Sequence, residues 1–141
     1  LDGLPMGTRS GAIDAGAVLY LQRTLGMDAD QVEHLLYQES GLKGLSGVSS
    51  DMQALQASAD PQAAFAIDYF ALKVAQYTAM LAVSLGGIDA LVFTGGIGEN
   101  ADTVRAAILA RLKVLGGFET LVIAANEEKM MALHAKHLLP P

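Results

Sequence analysis

The residues best suited to chemistry in this chain follow an apolar stretch, where Phe93-Thr94 gives way to Gly95-Gly96-Ile97-Gly98-Glu99-Asn100. Glycines so closely spaced let main-chain N–H groups approach a guest without interference from Cβ atoms. Where such a run opens a helix, the helix N-terminus adds partial positive charge, and an anionic phosphate is the natural guest. A nucleotide cradle is therefore expected over residues 95–100. The plainer alternative is a tight strand-to-helix turn in which glycine only permits φ > 0. No Gly-Lys-Ser/Thr follows, so this is not a P-loop. Residues Gly96 to Ala101 do satisfy G-x-G-x-x-G/A, which leaves a dinucleotide-binding module open.

Three further places could take part. In Met6-Gly7-Thr8-Arg9-Ser10-Gly11, one arginine stands between small residues, and a guanidinium so presented suits bidentate contact with phosphate or carboxylate. Taken alone, such an arginine is more often a solvated surface charge. Ser49-Ser50-Asp51 beside a glycine-rich stretch could hold a ribose, or could simply cap a helix, and the cap is the stronger reading in isolation. Glu127 offers a hard oxygen for Mg²⁺, or is an exposed acid in the first turn of a helix. His134 and His137 stand at a spacing that can share a helix face, but no third ligand accompanies them and they read, like His34, as surface histidines.

The chain around these residues has 141 amino acids, a length that favours one domain with one core. With no cysteine, a disulfide scaffold and thiolate metal sites are excluded. Hydrophobic residues make up 52% and charged residues only 17%, so disorder is not expected and part of an apolar-rich surface should be covered. A net charge of −6 without a basic cluster argues against nucleic-acid partners. The most apolar run, Ala63 to Leu85, has Asp68, Lys73 and Gln76 inside it, too polar for a bilayer span. No export signal opens the chain, and a cytoplasmic protein is expected. The first residue is Leu1 rather than Met, which reads as an excerpt from a longer reading frame.

The elements that must position the chemistry can be read in order. Residues 1–10 form an extended or looped lead-in. Apolar spacing predicts a helix over 13–25 with Gly26 as its stop, and a second from Asp28 to about Tyr37. Ser40 to Ser50, rich in glycine and serine, reads as a loop whose backbone bends sharply or approaches something closely. Ser50 with Gln53 has the form of a capping box and should start a short helix to about Ser58. Asp60-Pro61 and Gly86 bracket a helix about 37 Å long. Its polar residues fall in one narrow stripe (Gln62, Tyr69, Lys73, Gln76, Ser84), so a face should meet a second subunit or a missing domain. Ile88 to Thr94 reads as a buried parallel strand, Asn100 as the cap of a helix from Ala101 to Leu115, and Thr120 to Ala124 as a second strand, together a βαβ unit. Asn126 caps a last helix, and Pro140-Pro141 ends it.

The order Met-Gly-Thr-Arg-Ser-Gly at 6–11, Glu-Ser-Gly-Leu-Lys-Gly-Leu-Ser-Gly at 39–47, Ser-Ser-Asp-Met at 49–52, Phe-Thr-Gly-Gly-Ile-Gly-Glu-Asn at 93–100 and Asn-Glu-Glu at 126–128 closely resembles the C-terminal half of the acetate kinases, in the acetate/butyrate kinase family. The resemblance implies an α/β fold, a partial actin/hexokinase/Hsp70-like (ribonuclease H-like) nucleotide domain with an incomplete sheet. It runs through nearly the whole chain as one domain, 1–141: a loop and helical insertion over 1–60, then the long helix, βαβ unit and terminal helix over 61–141. It implies transfer of the ATP γ-phosphoryl to a short-chain carboxylate, giving an acyl phosphate and ADP. Arg9 would then stabilise the transferring phosphoryl, and Ser50, Asp51 and Met52 would border the adenosine. Gly95, Gly96, Ile97, Gly98, Glu99 and Asn100 would cradle the nucleotide, and Glu127 would sit near Mg²⁺.

The chain departs from that pattern in ways that bear on function. The family has an acid where this chain has Ala12 and an arginine flanking the adenine where it has Gln53, so a weaker hold on nucleotide is expected. Between Phe118 and Leu121 the chain is shorter than the family. The N-terminal half, with the acetate pocket, a second phosphate-binding arginine, the catalytic histidine and an acidic metal site, is absent, so little kinase activity is expected alone. A two-stranded sheet remnant leaves edges and faces open, which together with the apolar long helix points to a homodimer or higher oligomer. A dinucleotide-binding module and a non-catalytic oligomerising remnant stand as the alternatives.

Overall fold

In a computed structural model, which describes residues 1–138, the chain folds as eight α-helices and two β-strands: α1 (Ala15–Arg23), α2 (Ala29–Gln38), α3 (Gly41–Ser46), α4 (Met52–Ala57), α5 (Pro61–Leu85), β1 (Ala90–Phe93), α6 (Gly95–Asn100), α7 (Asp102–Leu112), β2 (Glu119–Val122) and α8 (Glu127–Leu138). A 3₁₀ turn, Lys113–Leu115, extends α7. The expected role of Pro140-Pro141 lies outside the described residues. None of the described helices is long and apolar enough to cross a membrane.

The 25-residue α5 is the axis of the fold, and its ends follow from its sequence. The Asp60 carboxylate accepts from Gln62 N, Pro61 occupies the first turn, and Gly86 closes the helix in the left-handed region at φ 77°. One side of α5 is paved with Ala63, Ala66, Ala71 and Ala75, and this lack of bulk lets α3, α4 and α7 lie close against it. Leu42 from α3, Leu55 from α4 and Val104, Ile108 and Leu112 from α7 fill that core with Phe70. The rest of α5 is less covered: Phe65 and, near the C-terminal end, Met80, Leu81, Val83 and Leu85 are all more than half exposed.

β1 and β2 pair in parallel, with Ala90 opposite Glu119 and Phe93 opposite Val122, and α6 and α7 make the crossover. The expected βαβ unit is present. The expectation that β1 is buried is not met, since only Phe93 is buried along it and Val92 is exposed. A continuously apolar strand implies cover on both faces, and among the described residues only β2 adjoins its edge.

Three further expectations need correction. Ser40 to Ser50 is not a loop throughout, because residues 41–46 form α3. That six-residue helix is held from outside, since Leu42 N and Lys43 N donate to the Met6 and Gly7 carbonyls at 2.9 Å. The cap of α4 is Asp51 rather than Ser50, its carboxylate accepting from Ala54 N at 2.8 Å. Asn100 does not cap the following helix either. Residues 95–100 are themselves helical, and the Asn100 amide reaches back to the Gly96 carbonyl at 2.9 Å. Asp28 with Gln31 and Asn126 with Lys129 cap α2 and α8 as expected.

Candidate functional site

Two segments far apart in the chain meet at one cleft of about 280 Å³, with Ser50, Asp51, Met52, Gln53 and Gln56 along one wall and Gly96, Ile97, Asn100 and Ala101 along the other. Local chemistry shapes each wall. On the first, Ser49 Oγ accepts from Asp51 N at 3.0 Å and the Asp51 carboxylate caps α4, so the backbone of 49–51 is fixed. Met52 points its side chain into the core, and only its remaining surface borders the cleft.

On the second wall the glycines have different reasons to be there. Gly95 sits at φ 72°, a conformation costly for any residue with a Cβ, and this turns the chain from β1 into α6. Gly98 packs on Phe93, where an added Cβ would lie 3.3 Å from the Phe93 carbonyl carbon. Gly96 needs neither a positive φ nor space, since nothing lies within 4 Å of where its Cβ would stand. Its bare backbone faces the cleft for no reason internal to the fold.

The expected row of free amides is partly corrected. The Gly95 N–H is taken by the Glu99 carboxylate, Oε1 at 2.8 Å, and the same oxygen accepts from Ala125 N at 2.9 Å. A residue that local pattern reading misses is Arg105. Its Nη1 donates to the Gly98 and Glu99 carbonyls at 2.8 and 2.9 Å, and its Nη2 pairs with Asp102. An arginine in the first turns of the helix after a glycine turn is the only sequence signal for it.

Arg9 is exposed and borders a separate hollow of about 290 Å³ with Leu1, Asp2, Leu4 and Met6. Its turn is nevertheless anchored beside the cleft. Met6 N donates to Arg9 O at 3.0 Å, Ser40 N donates to Thr8 O at 2.9 Å, and Gly7 lies so close to Ser50 that an added Cβ would be 2.9 Å from the Ser50 carbonyl oxygen. Glu127 lies exposed in the first turn of α8, outside the cleft lining. Among the described residues no three His, Cys, Asp or Glu side chains cluster to hold a metal. His134 and His137 are exposed, and the His137 ring nitrogen Nδ1 is 2.8 Å from the Leu133 carbonyl. Behind the glycine turn, Met6, Phe70, Val92, Phe93 and Ile108 bound a second, apolar hollow of about 480 Å³.

A helix-rich α/β fold with a small open parallel sheet, its glycine turn at the carboxyl end of the first strand, is a partial domain of the actin/Hsp70/sugar-kinase type, and matches to solved structures bear this out. The crystal structure of Porphyromonas gingivalis acetate kinase superposes with a TM-score of 0.90 at 30% identity, over 99% of this chain and 41% of that one. A propionate kinase from Francisella tularensis subsp. tularensis SCHU S4 gives a TM-score of 0.87 at 37% identity, over 93% of this chain and 40% of that one.

The sequence profile of the acetokinase family matches residues 1–133, and the chain belongs to that family. The acetate kinase of Nitrobacter hamburgensis is 46% identical over 159 residues, covering 99% of this chain and 39% of the relative. That of Rhodopseudomonas palustris (strain TIE-1) is 52% identical over 116 residues, covering 82% and 29%. The chain thus spans two fifths or less of the length of these curated relatives. The 159-residue match is longer than this chain, so the Nitrobacter protein carries extra residues within the matched span.

Proposed function

We propose that this chain is the C-terminal, nucleotide-binding part of an acetate-kinase-like phosphotransferase, which moves the ATP γ-phosphoryl to a short-chain carboxylate to give ADP and an acyl phosphate. The observation that carries this reading is the cleft in which Ser50–Gln53 face Gly96, Ile97, Asn100 and Ala101. Asp51 and Ser50 border the adenosine, with the Met52 backbone between them and the core. The backbone of Gly96 and Ile97, held by the Gly95 turn, with Gly98 packed on β1 and Asn100 folded onto α6, lies against the phosphates. Arg9, on a turn tied to Ser40 and packed on Ser50, supplies positive charge for the transferring group.

Phosphoryl transfer depends mainly on positioning and charge stabilisation, so one arginine and one nucleotide wall leave the chain inactive or weakly active alone. Magnesium favours one or two carboxylates together with substrate phosphates, and Glu127, in the first turn of α8 two residues after the Ala125 N–H that Glu99 accepts, would be the carboxylate that this chain offers it. When bound, the ion neutralises charge on the phosphate oxygens. The exposed apolar residues of α5 and the open sheet support self-association as a homo-oligomer, which light scattering at micromolar concentration tests directly: a sharp monomer mass contradicts it.

Thermal unfolding tests the nucleotide reading. ADP or ATP with Mg²⁺ at a hundred times Kd should stabilise the chain by about 2.7 kcal/mol. Stabilisation by NAD(H) in preference to ADP would instead support a dinucleotide module, and a melting curve unmoved by any nucleotide would leave a non-catalytic assembly remnant.

A further inference from the structure

The α6 segment should not be helical on its own strength. Six residues are too few for an isolated helix, and Gly95, Gly96 and Gly98 each raise the entropic cost of ordering it. Charged side chains hold both its ends. Arg105 takes the Gly98 and Glu99 carbonyls at the C-terminal end, and Glu99 reaches back one turn to take the Gly95 N–H at the other. Hydrogen bonds to ionised groups are about twice as strong as neutral ones, which suits them to a segment that cannot support itself.

The second bond made by Glu99 reaches across the sheet. At the carboxyl edge of the parallel pair, Ile123 N donates to Phe93 O at 2.9 Å, the last main-chain bond between the strands. The next inward-facing N–H belongs to Ala125, but its partner strand has already turned into α6. The Glu99 carboxylate stands where a strand carbonyl would, accepting that N–H at 2.9 Å. Ala125 is followed by Asn126, the cap of α8, and then by Glu127.

We propose that Glu99 is a positioning residue whose carboxylate locks the glycine turn to the connection before α8, so that Glu127 is held in fixed relation to the nucleotide wall. Its side chain then serves the cleft through Gly95 and Ala125 and does not itself contact nucleotide. The functional half of this inference rests on the nucleotide reading above, whereas the lock does not.

The test is amide hydrogen exchange on the 141-residue chain, first without ligand. In the wild type, Gly95 and Ala125 should open together and share one opening equilibrium. Glu99→Ala should speed exchange at both by about tenfold or more. Glu99→Gln keeps an acceptor oxygen at the same reach and should retain most of the protection at both. Independent opening of the two amides in the wild type, or faster exchange at Gly95 alone in Glu99→Ala, overturns the lock. ADP titrations with and without Mg²⁺ then read the function. Glu99→Ala should lose most of the magnesium-dependent gain in affinity while its metal-free affinity changes less than about twofold. An equal loss under both conditions makes Glu99 a direct contact and refutes the positioning role. Coupled exchange in a wild type that binds no ADP sustains the lock and rejects the nucleotide reading.

Discussion

Replacing Gly41 by alanine, with Gly47→Ala as its internal control, measures how firmly α3 holds the turn that carries Arg9. Both glycines lie in the left-handed region, at φ 61° and 64°, so adding a Cβ carries the same conformational cost at each, about 1–2 kcal/mol. Their surroundings differ. Around Gly47 nothing lies within 4 Å of the new atom, whereas at Gly41 it would fall 2.1 Å from Met6 O and 2.8 Å from Arg9 O. Those are backbone atoms and cannot rotate away. Met6 must move by an ångström or more, which breaks the bonds from Leu42 N to Met6 O and from Lys43 N to Gly7 O. Two backbone hydrogen bonds contribute about 1–3 kcal/mol together. Urea denaturation should therefore place Gly41→Ala about 1–3 kcal/mol below Gly47→Ala, with m unchanged. Equal midpoints for the two variants would refute the idea that α3 and the Met6–Arg9 turn are locked together at Gly41.

Other perturbations separate roles that share a residue. Asp51→Ala removes the α4 cap and should cost about 1 kcal/mol in denaturant, while Asp51→Asn retains the cap and loses only charge, so a drop in ADP affinity for Asn without a stability change assigns the charge to the cleft. Gln53→Arg places a planar cation at the cleft wall, and stacking worth about 0.5–1 kcal/mol should tighten ADP binding by two- to fivefold in calorimetry. Lys43 Nζ lies 2.8 Å from both carboxylate oxygens of Glu39 and, with a smaller contribution from the charge of His34, holds that carboxyl below the usual carboxylate range. A depressed pKa gives stability that is present above the unfolded-state value and lost as pH falls through the folded one. Lys43→Met should therefore move the Glu39 titration, followed by NMR, upward and remove that acid-range dependence; an unmoved titration contradicts the assignment.

Local sequence chemistry made some of the fold legible and was silent on the rest. Asp60-Pro61 and Gly86 bound α5 without reference to anything distant, and the Asp28 and Asn126 caps are equally local. Helix α3 is hidden because its support comes from the Met6 and Gly7 carbonyls more than thirty residues earlier. The exposure of β1 is not legible because an apolar strand implies cover on both faces, whereas here only the face of Leu91 and Phe93 packs on the core and Ala90 and Val92 are exposed. At the cleft, the glycine turn and the Ser50–Asp51 segment each announced themselves, but only the packing of α4 and α7 on the alanine face of α5 brings them together. Glu99 and Arg105 are not legible as structural supports because their partners are main-chain groups, which carry no side-chain signature.

The central claim is that adenine nucleotide occupies the cleft between α4 and α6. Amide chemical-shift mapping during titration with MgADP tests it most directly. Saturable changes should be largest at Ser50–Gln53 and Gly96–Ala101, with NAD⁺ producing none at matched concentration. Saturation with the changes clustered elsewhere, or no changes at millimolar ADP, would contradict it.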